Sequence, residues 1–309
     1  VLVHGRASLG IRINPSRRRV RRNCDISLRR WRHDLVRGHG ERYTIFMSDH
    51  VLHQSFEGAT WLEPGGRKLP GVQPLGDADW LLVDEAFAGQ MRLRDELIDG
   101  LQQDVFAQEP TAEAAAQECL DLVLEACAAN PAYDVGPRRI YRPDGVKVIV
   151  HRARPLLTIG RLIQEDVCIL QRRGREHVLT GAILCFPSHW TLSEKIGRPL
   201  TRIHVPVPSY DDDIARRVQR LFDGIKVGKP MWRANILPHA APVLHHPKRE
   251  AEADPSDGKP LRFLRSERQI MTRLPESDAV IFSIHTYLWA KDTLPEPLQS
   301  AYFPEARTA

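Results

Sequence analysis

The chain contains 309 residues, which is long enough for one large domain or two modest ones with a substantial core. Its five cysteines form no C-x-x-C pair, which argues against a disulfide framework, a zinc ribbon, covalent heme attachment and an iron–sulfur cluster within the chain. The net charge of +5 is unevenly distributed, because residues 1–46 contain 12 arginines and 3 acidic residues while the remainder of the chain is net negative.

The arginine-rich segment 1–46 shows little periodicity and interleaves no aromatic stacking platform with its charges. We therefore predict a disordered basic extension, with an arm that binds nucleic acid or an anionic surface as the alternative. A further hypothesis takes Met47 as the natural start, so that residues 1–46 are not native. The amino terminus lacks the apolar middle of a signal peptide, and the longest nearly apolar run, 178–186, is too short to cross a membrane. The expected location is the cytoplasm.

Residues 47–139 are predicted to be mainly helical. Apolar residues follow one another at helical spacing from Asp77 to Phe106. A second helix is predicted after Pro110, with Thr111 as its N-cap and a buried stripe that ends before Asn130.

Residues 140–309 alternate between predicted strands and helices. The predicted strands are 147–150, 162–170, 178–186, 231–237, 261–271 and 279–288. A capping box from Thr191 to Glu194 begins a short helix, and a longer one runs from Asp211 to Ile225. We predict an α+β fold, with an antiparallel five-stranded sheet and helices collected on one side. This element order is that of a PAS domain.

His204 is the first candidate for a metal ligand. Pro206 and Pro208 follow it closely, and each proline fixes its own φ and makes the residue before it extended. A rigidly presented neutral imidazole suits a metal or heme iron. A structural turn is the alternative explanation for a lone histidine beside prolines.

Further motifs combine into one long pattern. They are Phe186-Pro187-Ser188 with Trp190, Glu194 to Leu200, Ile203-His204, Pro206 to Tyr210, Trp232 to Asn235, Leu264 to Gln269 and Thr286-Tyr287. Together they resemble the heme-dependent oxidative N-demethylase family, over a region from near Trp80 to about Tyr287. Two positions depart from the family pattern: Ile236 stands where the family tends to have tryptophan, and His285 where it often has arginine.

The resemblance implies a PAS-like domain that binds heme b and oxidatively demethylates a small secondary amine, dimethylamine in the characterised form. It also implies that electrons come from NADPH through flavin and iron–sulfur centres on partner subunits. The chain itself has no glycine-rich dinucleotide fingerprint, which fits this division of labour. The expected partners are therefore the amine, dioxygen and the reductase subunits, with neither a membrane nor nucleic acid among them.

With this resemblance, His204 becomes the expected proximal iron ligand, and His189 and His285 are the alternatives. The histidines at 239, 245 and 246 lie in loop sequence and are expected to be solvated.

Arg233 and Glu194 are the candidate catalytic residues. Arg233 would donate hydrogen bonds to bound dioxygen or to a heme propionate, and Glu194 would accept the substrate ammonium or relay a proton. A surface arginine and the carboxylate of the capping box are the alternative explanations.

The other candidate cofactor-binding residues are charged or aromatic. Arg198, Arg202 and Lys195 are candidate propionate partners, and Trp190, Tyr210 and Tyr287 are candidate contacts of the heme edge. A solvated charged surface and an aromatic core explain the same residues.

Glu165 and Asp166 lie in an apolar strand, where unpaired buried carboxylates are costly, so at least one of them is expected to face solvent or a partner. The sequence thus predicts a heme-dependent monooxygenase that demethylates an amine, with a non-catalytic heme or small-ligand sensor as the alternative.

Overall fold

The computed structural model describes residues 30–36, 42–48, 51–56, 59–62, 71–203, 212–253 and 258–304. The strands are β1 (Arg30–Val36), β2 (Arg42–Ser48), β3 (Gln73–Pro74), β4 (Phe106–Gln108), β5 (Asp134–Val135), β6 (Arg139–Tyr141), β7 (Lys147–Ile149), β8 (Asp166–Arg173), β9 (Glu176–Ile183), β10 (Met231–His239), β11 (Phe263–Arg273) and β12 (Val280–Ala290).

The helices include short and long segments. They are α1 (Phe87–Gly100), α2 (Gln102–Val105), α3 (Glu113–Ala129), α4 (Pro155–Leu162), α5 (Leu192–Lys195), α6 (Leu200–Ile203), α7 (Asp212–Gly224) and α8 (Glu296–Tyr302). Short 3-10 helices occupy Thr60–Leu62, Pro110–Ala112 and Lys291–Thr293. Among the described helices, none has both the length and the apolar character needed to span a bilayer.

The main sheet has seven antiparallel strands in the order β3-β10-β11-β12-β8-β9-β4. Its five central strands are the predicted ones, so the α+β class is confirmed. The prediction of five strands is wrong, because β3 and β4 extend the two edges and are too short to leave a period-two pattern. Strand β7 pairs instead with β6 in a separate three-stranded sheet.

Helices cover both faces of the main sheet, which corrects the prediction of helices on one side. On the face that carries Val167, Ile169 and Ile281, called the α1 face below, the core includes residues of α1, α3 and α4. On the opposite face, called the α7 face, Cys168 and Ile284 pack with residues of α5, α6 and α7. Strands that are buried on both faces are apolar throughout, as β8 and β9 largely are.

The amino-terminal strands β1 and β2 form a hairpin in which Arg30 pairs with Ser48 and Val36 with Arg42. The disordered basic extension over residues 1–46 stays a prediction, and the rest of this segment lies outside the described part of the chain.

The helical region has later and shorter helices than predicted. Helix α1 begins at Phe87 and not at Asp77, and Thr111 makes no N-cap because it lies within a 3-10 turn. Helix α3 ends before Asn130 as predicted. The division into residues 1–46, 47–139 and 140–309 stays a prediction, although one continuous apolar cluster joins α1 and α3 to α4 and the sheet.

Helix α4 packs very closely on β9 at Gly160. A Cβ on Gly160 would lie 2.5 Å from Cγ1 of Ile183, a side chain that is itself fully buried. We expect Gly160→Ala to lower the free energy of unfolding by about 1–3 kcal/mol, the usual cost of overpacking a core.

Gly224, the last residue of α7, is the matched control because an added Cβ meets nothing within 4 Å there. Gly224→Ala should raise stability by a few tenths to about 1 kcal/mol through the unfolded state. Urea denaturation of both variants measures whether the free energy of unfolding falls or rises relative to the wild type. Equal effects would contradict the close packing of α4 on β9.

Candidate active site

A group of polar side chains shares the α7 face of β10, β11 and β12. Arg233 pairs with Gln269 across the β10–β11 ladder, and Asn235 pairs with Glu267, which in turn pairs with Thr286 of β12. Directly paired residues point to the same side of a sheet, so these residues continue the face that is apolar beneath α7. Polar residues on a covered face are the first sign of a site.

Positive charge is in excess in this group. Glu267 accepts hydrogen bonds from Arg265 Nε at 3.1 Å and from Gln269 Nε2 at 3.0 Å. Among the described residues Arg233 forms no ion pair, and its Nε is buried without a hydrogen bond, as is Thr286 Oγ1. Burial lowers the pKa of Arg233, and the charge of Glu267 opposes this shift. Two guanidinium groups thus face one carboxylate.

A buried ion pair fixes the loop that follows β9. Arg94 Nη1 lies 2.6 Å from Asp166 Oδ1, and neither side chain has any exposed surface. Asp166 also accepts hydrogen bonds from the backbone N–H groups of Cys185 at 2.7 Å and Phe186 at 2.8 Å. Arg94 itself donates to the carbonyl oxygen of Gly160 at 3.1 Å. The carboxylate therefore holds the backbone at the start of this loop.

Arg265 joins the same loop to the segment that follows β10. Its Nη2 donates to the carbonyl oxygen of Phe186 at 2.6 Å, and its Nη1 donates to that of Leu244 at 2.9 Å. His245 Nδ1 donates to the carbonyl oxygen of Cys185 at 2.7 Å. Residues 185–189 and 243–246 are thereby held side by side at one end of the sheet.

Three histidines gather where these segments meet. His239 and His246 are only 5% and 8% exposed, and His245 beside them is 3% exposed, so the prediction that these side chains are solvated is wrong. His239 is the last residue of β10, and the loop that carries His245 folds back over the end of the sheet. The third member, His189, is half-buried and has a φ of 60°.

A second histidine group lies on the α1 face. His53 Nε2 and His285 Nε2 both donate to Asp84 Oδ2, at 2.7 and 2.8 Å. His285 Nδ1 donates to Glu165 Oε1 at 3.0 Å, and His53 Nδ1 accepts the backbone N–H of Leu288 at 3.2 Å. Every ring nitrogen in this group already has a protein partner, so the geometry is that of a structural network.

The charge on His285 follows from these contacts. Burial lowers the pKa of His285, but hydrogen bonds and charges from Asp84 and Glu165 outweigh it and raise the value to about 9. Burial likewise opposes ionisation of Asp84, yet the two histidines hold its pKa well below the usual value. Glu165 and Asp166 are both buried, and each faces a charged partner and not solvent, which is the second of the two expected outcomes.

The structure separates the predicted site residues into three groups. Arg233 lies on the α7 face, and Trp190 packs against the apolar cluster of that face. His285 and Tyr287 lie on the α1 face, because they alternate with Ile284 and Thr286 along β12. Tyr287 stacks on the ring of Trp289 at 5.3 Å, as a core aromatic does. His285 and Tyr287 therefore do not share a face with Arg233.

Glu194 and Arg202 belong to a polar cluster centred on Glu250. Arg202 binds Glu250 through both terminal nitrogens, at 3.0 and 2.9 Å, and Lys195 Nζ binds it at 2.6 Å. These contacts lower the pKa of Glu250 to about 2. Thr191 makes no side-chain cap, and Glu194 Oε2 accepts the backbone N–H of Glu250 at 3.2 Å, so the predicted capping box is wrong.

Arg198 is exposed. His204, Pro206, Pro208 and Tyr210 lie outside the described residues, and their predicted roles stay predictions.

The sequence did not single out Arg94, Asp84, Arg265 or Glu267. Arg265 and Glu267 belong to the motif Leu264 to Gln269, whose alternating charges within a strand were the available signal. No comparable signal marked Arg94, because its partner lies 72 residues away.

A family model described as "Haem-dependent oxidative N-demethylase, alpha subunit-like" matches residues 71–301, about three quarters of the chain. The matched region contains the polar group of the α7 face, the Arg94–Asp166 pair and both loops at the end of the sheet. The match confirms the resemblance that the motifs indicate.

The His285 network gives stability a defined pH dependence. The pKa of His285 rises from the usual 6.5 to about 9 on folding, so its contribution is complete below pH 6.5 and is lost as the pH rises through about 9. The total is on the order of 3 kcal/mol. Urea unfolding from pH 6 to 10 should show this decline in the wild type and a flatter profile in His285→Gln. The exposed His151→Gln is the matched control and should keep the wild-type slope; equal slopes in all three proteins would contradict a charged His285.

Proposed function

The chain belongs to the haem-dependent oxidative N-demethylase, alpha subunit-like family, and on this premise we propose that it removes a methyl group from a small amine such as dimethylamine and releases formaldehyde. Family membership makes the protein an oxidoreductase of the heme-dependent N-demethylase type. The substrate, the product and the source of electrons are the proposed part.

The observation that carries the proposal is the excess positive charge on the α7 face. The guanidinium of Arg233 is half-buried, and its Nε has no hydrogen bond. The neighbouring carboxylate, Glu267, already forms an ion pair with Arg265, so Arg233 is suited to bind an anion. The propionates of heme b would be such anions, and so would oxygen that gains electrons during the reaction. The residues present therefore fit a heme on this face.

Within this proposal His204 would hold the heme iron, and Arg233 and Trp190 would line the side of the cofactor that faces the sheet. The bound heme supplies the oxidation of the N-methyl group with dioxygen. Arg233 contributes hydrogen bonds in a region of low dielectric, where a preformed donor is worth more than in water. Its charge also disfavours an ammonium ion beside it, so the amine nitrogen is held away from Arg233 or reacts unprotonated.

A PAS-like arrangement of the heme domain is part of the proposal. Strands β8 and β9 are followed by α5, α6 and α7 and then by β10, β11 and β12. This is the predicted element order, and residues of α5, α6 and α7 pack on one face of the central strands.

Electrons are proposed to come from NADPH through flavin and iron–sulfur centres on partner subunits. An alpha-subunit-like family implies partner subunits. The described cysteines support this because each is free and buried, and burial raises the pKa of Cys119, Cys127 and Cys185 to about 12. Protonated, scattered thiols are poor ligands for a cluster.

The proposed reaction is tested by incubating the heme-loaded protein with dimethylamine, dioxygen and a chemical or protein electron donor. We expect formaldehyde and methylamine in equal amounts. Binding of amine, seen as a shift of the Soret band, without any formaldehyde would contradict the enzyme and favour a heme sensor. A Soret band that His204→Ala leaves unchanged would remove His204 as the iron ligand.

The role of Arg233 is tested by replacing it. Arg233→Ala should lower kcat by about 100-fold, the loss typical of one preformed donor to developing negative charge. The matched control is Arg175→Ala, at the exposed turn between β8 and β9, which should leave kcat unchanged. Equal kcat values for the wild type and both variants would show that Arg233 contacts neither oxygen nor cofactor.

A further inference from the structure

Three imidazoles converge at the end of the sheet, on three separate segments of the chain. His189 follows β9, His239 ends β10, and His246 lies on the segment after β10. The ring centroids are 4.5 Å apart for His189 and His246, 5.1 Å for His189 and His239, and 6.0 Å for His239 and His246. One ring nitrogen of each residue lies within 4.8 Å of those of the other two.

The backbone that carries the three rings is fixed by the protein. The N–H of His189 donates to the carbonyl oxygen of His246 at 2.9 Å, and the N–H of His246 donates to that of Pro187 at 3.0 Å. Arg265 binds both segments, and the β10–β11 ladder holds His239 opposite Phe263. A preformed backbone lowers the entropic cost of gathering the rings around a ligand.

The conformation of His189 is a separate observation. Its φ of 60° lies in the left-handed region, which few residues other than glycine adopt. Such residues concentrate at functional sites, where the surrounding structure holds them in place. Here the strained backbone directs a histidine towards two others.

We propose that His189, His239 and His246 together bind one divalent transition-metal ion, with Zn²⁺ as the reference ion. Imidazole is a ligand for zinc, copper, nickel and iron, whereas magnesium and calcium require oxygen ligands. Nitrogens around a tetrahedral zinc ion are roughly 3.4 Å apart, given a Zn–N distance of about 2.05 Å. Small rotations of the three side chains would bring their nitrogens from within 4.8 Å of one another to this separation. Three protein ligands leave one position for water or another molecule.

The second histidine group shows why this site is the better candidate. His285 in that group donates from both ring nitrogens to carboxylates and carries a proton on each, so it has no lone pair for a metal. Because the three-histidine site links three segments, binding of an ion should also stabilise the folded protein by mass action.

The test uses the full chain, purified with a tag that contains no histidine and stripped of metal by a chelator. Titration with Co²⁺ should give visible d–d bands of tetrahedral type that saturate at one ion per chain, and Zn²⁺ should displace them. Zn²⁺ should also raise Tm, whereas Mg²⁺ should not. A wild-type protein with neither the bands nor the Tm shift would overturn the proposal, independently of any variant.

Replacement of single ligands locates the site. His246→Gln and His239→Gln should each weaken Zn²⁺ binding by at least about 100-fold, since even outer partners of a metal site are worth about 10–100-fold. His151→Gln is the matched control and should bind Zn²⁺ as the wild type does. The Soret band of heme-loaded samples is recorded in parallel and should be unchanged. Undiminished Zn²⁺ affinity in the ligand variants, or loss of heme in place of Zn²⁺, would overturn the assignment.

Discussion

The ion pair between Arg94 and Asp166 is the interaction on which the end of the sheet depends. It is fully buried, and its carboxylate also binds two consecutive backbone N–H groups. Removal of one partner from such a pair typically costs about 3–5 kcal/mol, because the other charge stays buried without compensation. The loop after β9 therefore leaves the sheet in one direction only. Because the direction of this loop is fixed, Arg265 can donate to the carbonyl oxygen of Phe186, and the N–H of His246 can donate to the carbonyl oxygen of Pro187.

The main sheet divides the buried charges into two sets with different properties. On the α1 face, His285 forms an ion pair with each of the carboxylates Asp84 and Glu165, and His53 donates a second hydrogen bond to Asp84. On the α7 face, among the described residues, Arg233 and Arg265 face Glu267 alone. In the first set every histidine ring nitrogen has a protein partner, whereas the second set is suited to an added anion. This difference is the reason for placing the proposed heme site on the α7 face.

The two departures from the family pattern have a structural location. Ile236 and His285 both lie on the α1 face, where Ile236 packs with the aromatic cluster around Trp289 and His285 binds two carboxylates. The two departures therefore alter packing and hydrogen bonds on the α1 face, and they leave the residues of the α7 face unchanged. On the proposed placement of heme and amine on the α7 face, a difference in substrate relative to other members of the family arises from other residues.

The sequence predicted those parts of the fold that follow from local patterns. The five long strands and α7 were found because their periodicity is strong, and the fold class followed from their order. The covering of both faces was missed, because an apolar strand does not show how many of its sides are packed.

The site could be predicted only in part. Arg233 was found through its motif, but the distinction between its face and that of His285 requires the register of three strands. The three-histidine group was missed because it unites His189 with two histidines that follow it by 50 and 57 positions, and such contacts depend on the tertiary fold.

Hydrogen–deuterium exchange in the segment 183–190 tests most directly whether the buried pair holds this loop. In the wild type, the amides of Cys185 and Phe186 should be strongly protected, because both donate to Asp166. In Asp166→Asn, which keeps the size of the side chain and removes its charge, exchange in this segment should become much faster while β11 and β12 stay protected. Unchanged protection of the segment in a folded Asp166→Asn protein would contradict the central role of the ion pair.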